Sequence, residues 1–254
     1  MFHHWQGGEL VALKRFDPTD SIVLAADSWL VIDGSALALD LHRARFFAAI
    51  ADRLEDRAAF WDRAIATIPP NGEWFPRVEL RVQGSTVFAV FLLRASPARS
   101  RSVRLATHSG FDPRAYPQIK GPNTAALLRI RTEAQARGAD EAVILSPQGF
   151  IVEGAYSAIL WWRGTVLCAA APELARVDSV TARCIIGLAG ALGVEVHYES
   201  ATPAQLEGCE IWAVSALQGI RIVTEWSDGP NPAELPGRLA SWRRSLDRLR
   251  QRIF

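Results

Sequence analysis

The chain has 254 residues, 49% hydrophobic and 22% charged, with a formal net charge of +1. That length and composition can bury a sizeable core in one or two domains, and the near-neutral balance gives no electrostatic case for nucleic acid or an anionic membrane as partner. No apolar run approaches the roughly 18 residues that span a bilayer, and the opening MFHHWQGGEL lacks the charged-then-apolar layout of a secretory signal, so the expected location is the cytoplasm.

In chain order, Leu39 to about Ile68 carries apolar residues at helical spacing and predicts one long helix or two short ones. Strands follow at Val78 to Val82 and Thr86 to Leu93, joined by the hairpin signal Gln83-Gly84-Ser85, and at Val103 to Thr107. His108 to Asn123 is rich in Gly, Pro and Asp without a period, which predicts a long loop and a domain boundary: residues 1–107, a loop 108–123, and 124–254. Beyond it the pattern predicts a helix at Thr124 to Arg137 and strands at Glu141 to Leu145, up to Glu153, Ala158 to Trp162 and Val166 to Ala169. A helix at Thr181 to Leu192 and strands at Val194 to Tyr198, Glu210 to Val214 and Arg221 to Thr224 complete the core. The last segment sets Leu239, Trp242, Leu246, Leu249 and Ile253 on one helical face, which predicts a terminal helix docked on the core.

There is no G-x-S-x-G elbow, H-E-x-x-H pair or Walker loop. Cys168, Cys184 and Cys209 are odd in number and scattered, which suits small buried hydrophobes better than a disulfide framework or a metal clip. Of 28 basic residues only Lys14 and Lys120 are lysines. That matters because arginine stays protonated and forms no imine at neutral pH. Lys120 sits in Ile119-Lys120-Gly121-Pro122-Asn123 just ahead of a predicted helix, as imine chemistry needs. Glu153 is placed at a strand end, where a carboxylate can keep a pyridine nitrogen protonated. Asp178-Ser179-Val180-Thr181 leads into a helix whose first turn offers amides to a phosphate, and Ser215-Ala216-Leu217-Gln218-Gly219-Ile220 separates two strands with small residues. Each piece alone has an ordinary reading: a solvated lysine, a turn acid, a helix cap, a turn.

In this order and spacing the pieces resemble the class IV aminotransferase family of fold-type IV PLP enzymes, over about residues 100–226. The matching residues are Lys120 with Asn123, Asp140-Glu141, Glu153-Gly154, Ser179-Val180-Thr181, and Ser215-Ala216 before Gly219-Ile220. Upstream, Leu41-His42-Arg43-Ala44-Arg45-Phe46 is similar to the family's H-L-x-R-L helix. The resemblance implies an α/β fold with a small N-terminal domain and a larger, barrel-like C-terminal one, pyridoxal 5'-phosphate between them, and a homodimer. It implies Lys120 as catalytic and cofactor-binding lysine, Glu153 on the pyridine nitrogen, and Arg45, Val180, Thr181, Ser215 and Ala216 on the phosphate. The implied activity is amino transfer between a small amino acid and a 2-keto acid. Two alternatives stand beside it. One is an aminodeoxychorismate-lyase-like elimination releasing pyruvate, supported by the Ser215-Ala216-Leu217 run; the other is a PLP-binding paralogue without turnover. The latter is motivated by three departures: Thr124 where relatives carry an aromatic residue, Ala158 where they carry Asn, and Asp27 to Gly34 in place of their glycine-rich substrate stretch.

Overall fold

The computed structural model describes residues 1–13 and 17–254, so Lys14 lies outside the described residues. The chain forms two compact units: Met1–Ala98 with Ile119–Pro122 and Leu249–Phe254, and Arg99–Gln118 with Asn123–Arg248. The fold is mixed α/β. No helix among the described residues is long and apolar enough to cross a membrane.

The first unit opens with β1 (Phe2–Gln6) and β2 (Glu9–Ala12), a hairpin turned by Gly7 and Gly8 at positive φ. Next come β3 (Ile22–Ser28), β4 (Val31–Ile32), β5 (Ser35–Leu37), α1 (Leu39–Ile50), α2 (Arg57–Ala66), β6 (Glu73–Trp74), β7 (Arg77–Gln83) and β8 (Thr86–Leu92). The order β2-β1-β8-β7-β3 makes an antiparallel sheet with β3 at one edge. Trp29, Phe46, Phe60, Trp61, Leu80 and Phe91 form its core with α1 and α2. The helical stretch from Leu39 divides at Ala51, which takes φ 49°, so two short helices form rather than one long one.

The second unit contains β9 (Ser102–Thr107), α3 (Thr124–Ala136), β10 (Glu141–Leu145), β11 (Ile151–Gly154), β12 (Ala158–Arg163), β13 (Val166–Ala170), α4 (Val180–Ala191), β14 (Val196–Glu199), β15 (Glu210–Ser215), β16 (Gly219–Ser227) and α5 (Arg238–Asp247). Its eight strands run in the order β11-β10-β9-β16-β15-β12-β13-β14, and the sheet curls so that β11 also approaches β12 and β13. The parallel pairs β9/β10 and β13/β14 are each joined through a helix, α3 and α4, as parallel strands require. Placing Val103 to Thr107 in the N-terminal domain is thus corrected: β9 pairs with both β10 and β16 in the middle of this sheet.

The terminal helix also needs correction. It stops at Asp247, and the chain continues as β17 (Arg250–Arg252), antiparallel to β5, with Ile253 packed on the core of the first unit. The helical period of the sequence persists through this segment, but Ile253 N donates to Gly34 O at 3.1 Å and Arg250 Nη1 to Leu30 O at 3.2 Å. Pairing with β5 overrides the local preference.

Candidate functional site

Lys120 belongs to a four-residue segment of the first unit that runs along the free edge of β3. Ala26 N donates to Lys120 O at 2.7 Å, which fills a ladder position that the edge strand would otherwise leave open. Gly121 makes this approach possible. It adopts φ +125°, and a Cβ there would stand 2.7 Å from Ala26 N and 2.9 Å from Ala25 C. Only glycine suits that backbone and that separation. The half-buried Lys120 is therefore anchored by its main chain to a strand whose Ala25 and Ala26 are fully packed.

On the same strand, Asp27 is completely buried and organises two residues of α1. His42 Nδ1 lies 2.7 Å from Asp27 Oδ1, while Arg45 donates Nε to Oδ2 and Nη2 to Oδ1, both at 2.8 Å. Ser28 N adds a bond to Oδ1 at 2.7 Å. Burial by itself would raise the Asp27 carboxyl, but the bond and charge of His42 and the two bonds of Arg45 outweigh it and hold the group well below the usual carboxylate range. The i, i+3 spacing of His42 and Arg45 puts both on one helix face, so one carboxylate sets the direction of the guanidinium.

In the second unit, Glu153 is buried near the end of β11, opposite Ile144. Its Oε1 accepts from Arg114 Nη1. Arg114 is in turn held by Asp112, through Nε at 2.8 Å and Nη2 at 2.6 Å, and by Ala175 O at 3.2 Å. Burial lowers the guanidinium pKa, yet Asp112 and Glu153 more than reverse this, so the net shift is upward. A permanent cation thus compensates the buried carboxylate. Arg114 was not among the residues singled out from sequence. The Asp112-Pro113-Arg114 spacing offered only a local sign, an Asx-type turn in which Asp112 Oδ1 accepts from Arg114 N at 3.0 Å. Asn123 has a clear task in the same loop: its Oδ1 accepts from Ala115 N and Tyr116 N at 3.0 and 3.2 Å, and its Nδ2 donates to Tyr116 O at 2.7 Å. The apparent structureless loop is therefore closed on itself at the start of α3.

At α4, Ser179 is the N-cap and its Oγ accepts from Ala182 N at 3.3 Å. Intrahelical bonding begins with Arg183 N on Ser179 O, so the helix itself provides no acceptor for the amides of Val180 and Thr181. Thr181 is buried, and Arg176 fixes the approach to the helix by donating to Ala170 O, Ala171 O and Leu174 O at 2.6 to 2.9 Å. A cavity of about 230 Å³ opens beside this cap, lined by Gln118, Ala158, Arg176, Ser179, Ala182 and Tyr198 among others. Ser215 closes the β15–β16 hairpin: it pairs with Gly219, and its Oγ accepts from Gln218 N at 3.3 Å. Its hydroxyl serves its own turn, with Ala216 next in the bend.

Two of the sequence departures have plain positions: Thr124 is the first residue of α3, and Ala158 opens β12 opposite Val214. Taken unit by unit, the donor types still suit a phosphorylated pyridine aldehyde. An amine sits on an anchored loop, a compensated carboxylate can face a ring nitrogen, and a capped helix start and an oriented arginine provide anion donors. Lys120 and Arg45 belong to the first unit; Glu153, Val180, Thr181, Ser215 and Ala216 belong to the second.

A family model described as amino-transferase class IV matches residues 24–226. Among solved structures, a hypothetical aminotransferase from Mycobacterium tuberculosis in its PLP-bound form is 20% identical, with a TM-score of 0.81 over 98% of each chain. The branched-chain amino acid aminotransferase of Escherichia coli is 17% identical, with a TM-score of 0.80 over 97% of this chain and 93% of that one. A protein from Legionella pneumophila, described as a candidate 4-amino-4-deoxychorismate lyase, is 16% identical with a TM-score of 0.78 over 91% of each chain. No curated protein sequence matches significantly.

Proposed function

From the premise that the chain belongs to the class IV aminotransferase family, we propose that it is a PLP-dependent enzyme that moves an amino group between a small amino acid and a 2-keto acid, with Lys120 as its catalytic lysine. The observation that carries this reading is the Lys120 segment, held against β3 by the Ala26 N to Lys120 O bond and by a glycine that no larger residue can replace without displacing backbone.

Bound PLP supplies the electron sink that makes a substrate α-proton removable. Lys120 Nζ is the amine that binds the cofactor and the base that moves a proton at the substrate α-carbon. Glu153, paired with Arg114, would accept a hydrogen bond from a protonated ring nitrogen. Arg45, the amides of Val180 and Thr181, the Thr181 hydroxyl and the Ser215-Ala216 turn hold phosphate. Asp27, accepting from Arg45 Nε and Nη2, sets the direction of that guanidinium. We also place the protein in the cytoplasm as a homodimer, readings supported by composition and family.

Because the chain has only two lysines, the test is direct. Borohydride reduction with PLP followed by peptide mapping should label Lys120, and Lys120→Ala should abolish both the label and the visible absorption band. Label on Lys14 in place of Lys120 would overturn the assignment. The second reading, elimination with release of pyruvate, is favoured by Ser215-Ala216-Leu217. It is separated by dependence on a keto acid: transamination stops without an acceptor, whereas elimination continues.

A further inference from the structure

Glu141 is a wholly buried acid that the proposed chemistry does not use. It opens β10, and its carboxylate joins three segments. Oε1 accepts from Tyr156 N at 3.1 Å, in the turn that follows Glu153. Oε2 lies 3.3 Å from Arg221 Nη2 and 3.4 Å from Ser157 Oγ. Arg221 stands two residues beyond Gly219, on the strand leaving the hairpin of Ser215 and Ala216. The turn after Glu153 is tight: Gly154 N donates to Ser157 O at 2.7 Å and Ala155 N to Ala142 O at 2.8 Å. From α3, the Arg131 guanidinium lies 5.3 Å over the Tyr156 ring, a second hold on the same turn.

Such a pair is an expensive way to stabilise a core. Burial pushes the Glu141 carboxyl up against the opposing pull of Arg221, burial also lowers Arg221, and Arg221 Nε is buried with no hydrogen-bond partner among the described residues. Apolar side chains of similar volume commonly do as well or better. What they cannot do is accept the Tyr156 amide while gripping a neighbouring strand. We propose that Glu141 is a positioning residue: with Arg221 it fixes the turn that aims Glu153 and ties that turn to the hairpin bearing Ser215 and Ala216. This rests on the reading of Glu153 and the hairpin as cofactor contacts.

Two variants test it. Glu141→Asp keeps the charge for Arg221 but withdraws the carboxylate from the Tyr156 amide, and Glu141→Gln with Arg221→Gln removes both charges, keeping the shape of residue 141 and shortening residue 221. The wild-type protein is first reduced with borohydride and PLP; if Lys120 is not labelled, the proposed function fails and not the positioning role. Given labelling, each variant is measured without cofactor, by hydrogen exchange of the peptide spanning Tyr156, and with PLP, by affinity and by the maximum of the visible band. The expected result is exchange at least tenfold faster, PLP affinity at least tenfold weaker and a displaced band, with Lys120 still labelled at saturating PLP. A folded Glu141→Asp protein with wild-type exchange, affinity and band would overturn the proposal. So would a double variant that differs from wild type only in melting temperature. If the double variant does not fold, Glu141→Asp decides alone, and failure of both to fold would assign Glu141 to stability and likewise overturn it.

Discussion

Gly121→Ala is the sharpest perturbation of the proposed site, because its cost can be worked from the backbone. The added methyl would lie 2.7 Å from Ala26 N and 2.9 Å from Ala25 C, both main-chain atoms of a packed strand that cannot rotate away. The native φ of +125° is itself one that L-residues rarely adopt, a strain of about 1–3 kcal/mol. Relief requires the segment to lift from β3, which breaks the 2.7 Å bond from Ala26 N to Lys120 O and strands a buried amide at about 1–3 kcal/mol. Lifting releases the strain as it breaks the bond, so the two do not add: the cost is about 1–3 kcal/mol, a fraction of a typical folding free energy, and lifting four residues is cheaper than unfolding a unit. At about 2 kcal/mol the ratio of docked to lifted segment falls about 30-fold, and apparent PLP affinity falls with the docked fraction, by up to that factor. Titrating cofactor-free protein with PLP and following the visible band measures this, while a parallel urea curve should show a smaller loss of global stability. Affinity within about threefold of wild type would mean that the docked segment does not place Lys120.

Two further outcomes follow from the buried charges. Asp27→Asn should destabilise the protein at pH 7 by roughly 3 kcal/mol, since it leaves Arg45 and His42 facing a neutral amide. The Asp27 pKa is depressed in the folded state, so its stabilisation is present above the unfolded carboxyl value near 4 and is lost as pH falls through the folded value. The gap between wild type and variant in urea midpoint should therefore narrow from pH 7 to pH 3, and parallel midpoints would contradict the network. Arg114→Met should remove the ion pair that Arg114 makes with buried Glu153, at a cost of about 3–5 kcal/mol. Adding Glu153→Gln should restore much of the stability but not the amino transfer; a double variant no more stable than Arg114→Met would show that the pair is not coupled.

How far the site was legible in the sequence depended on how far apart the partners lie along the chain. Lys120 stands out as a candidate because an arginine-rich composition isolates it and Gly121 and Asn123 flank it. Ser179 before Thr181 was legible because capping is a property of four consecutive residues. Arg114 was not, since its decisive partner, Glu153, is 39 residues away and Asp112 looks like ordinary turn chemistry. The N-terminal strands were missed for a related reason. β4 and β5 are two and three residues long, too short for a period, and β3 carries Asp27 in an otherwise apolar run. An aspartate there argues against a buried strand until His42 and Arg45, 15 and 18 residues on, are brought beside it. At the other end, Leu249 and Ile253 kept helical spacing, and only pairing with β5 from the far end of the chain shows that the helix stops at Asp247. The pattern names the residues that touch the cofactor in the proposed reading, together with Asn123 and Glu141, but not what the latter two hold. The residues that aim the cofactor contacts, Asp27, Arg114 and Glu141, act across sequence distance through compensated burial, and a sequence alone displays neither the burial nor the compensation. Substitutions at Asp27 or Arg114, which leave every matching motif intact, should therefore disable this protein.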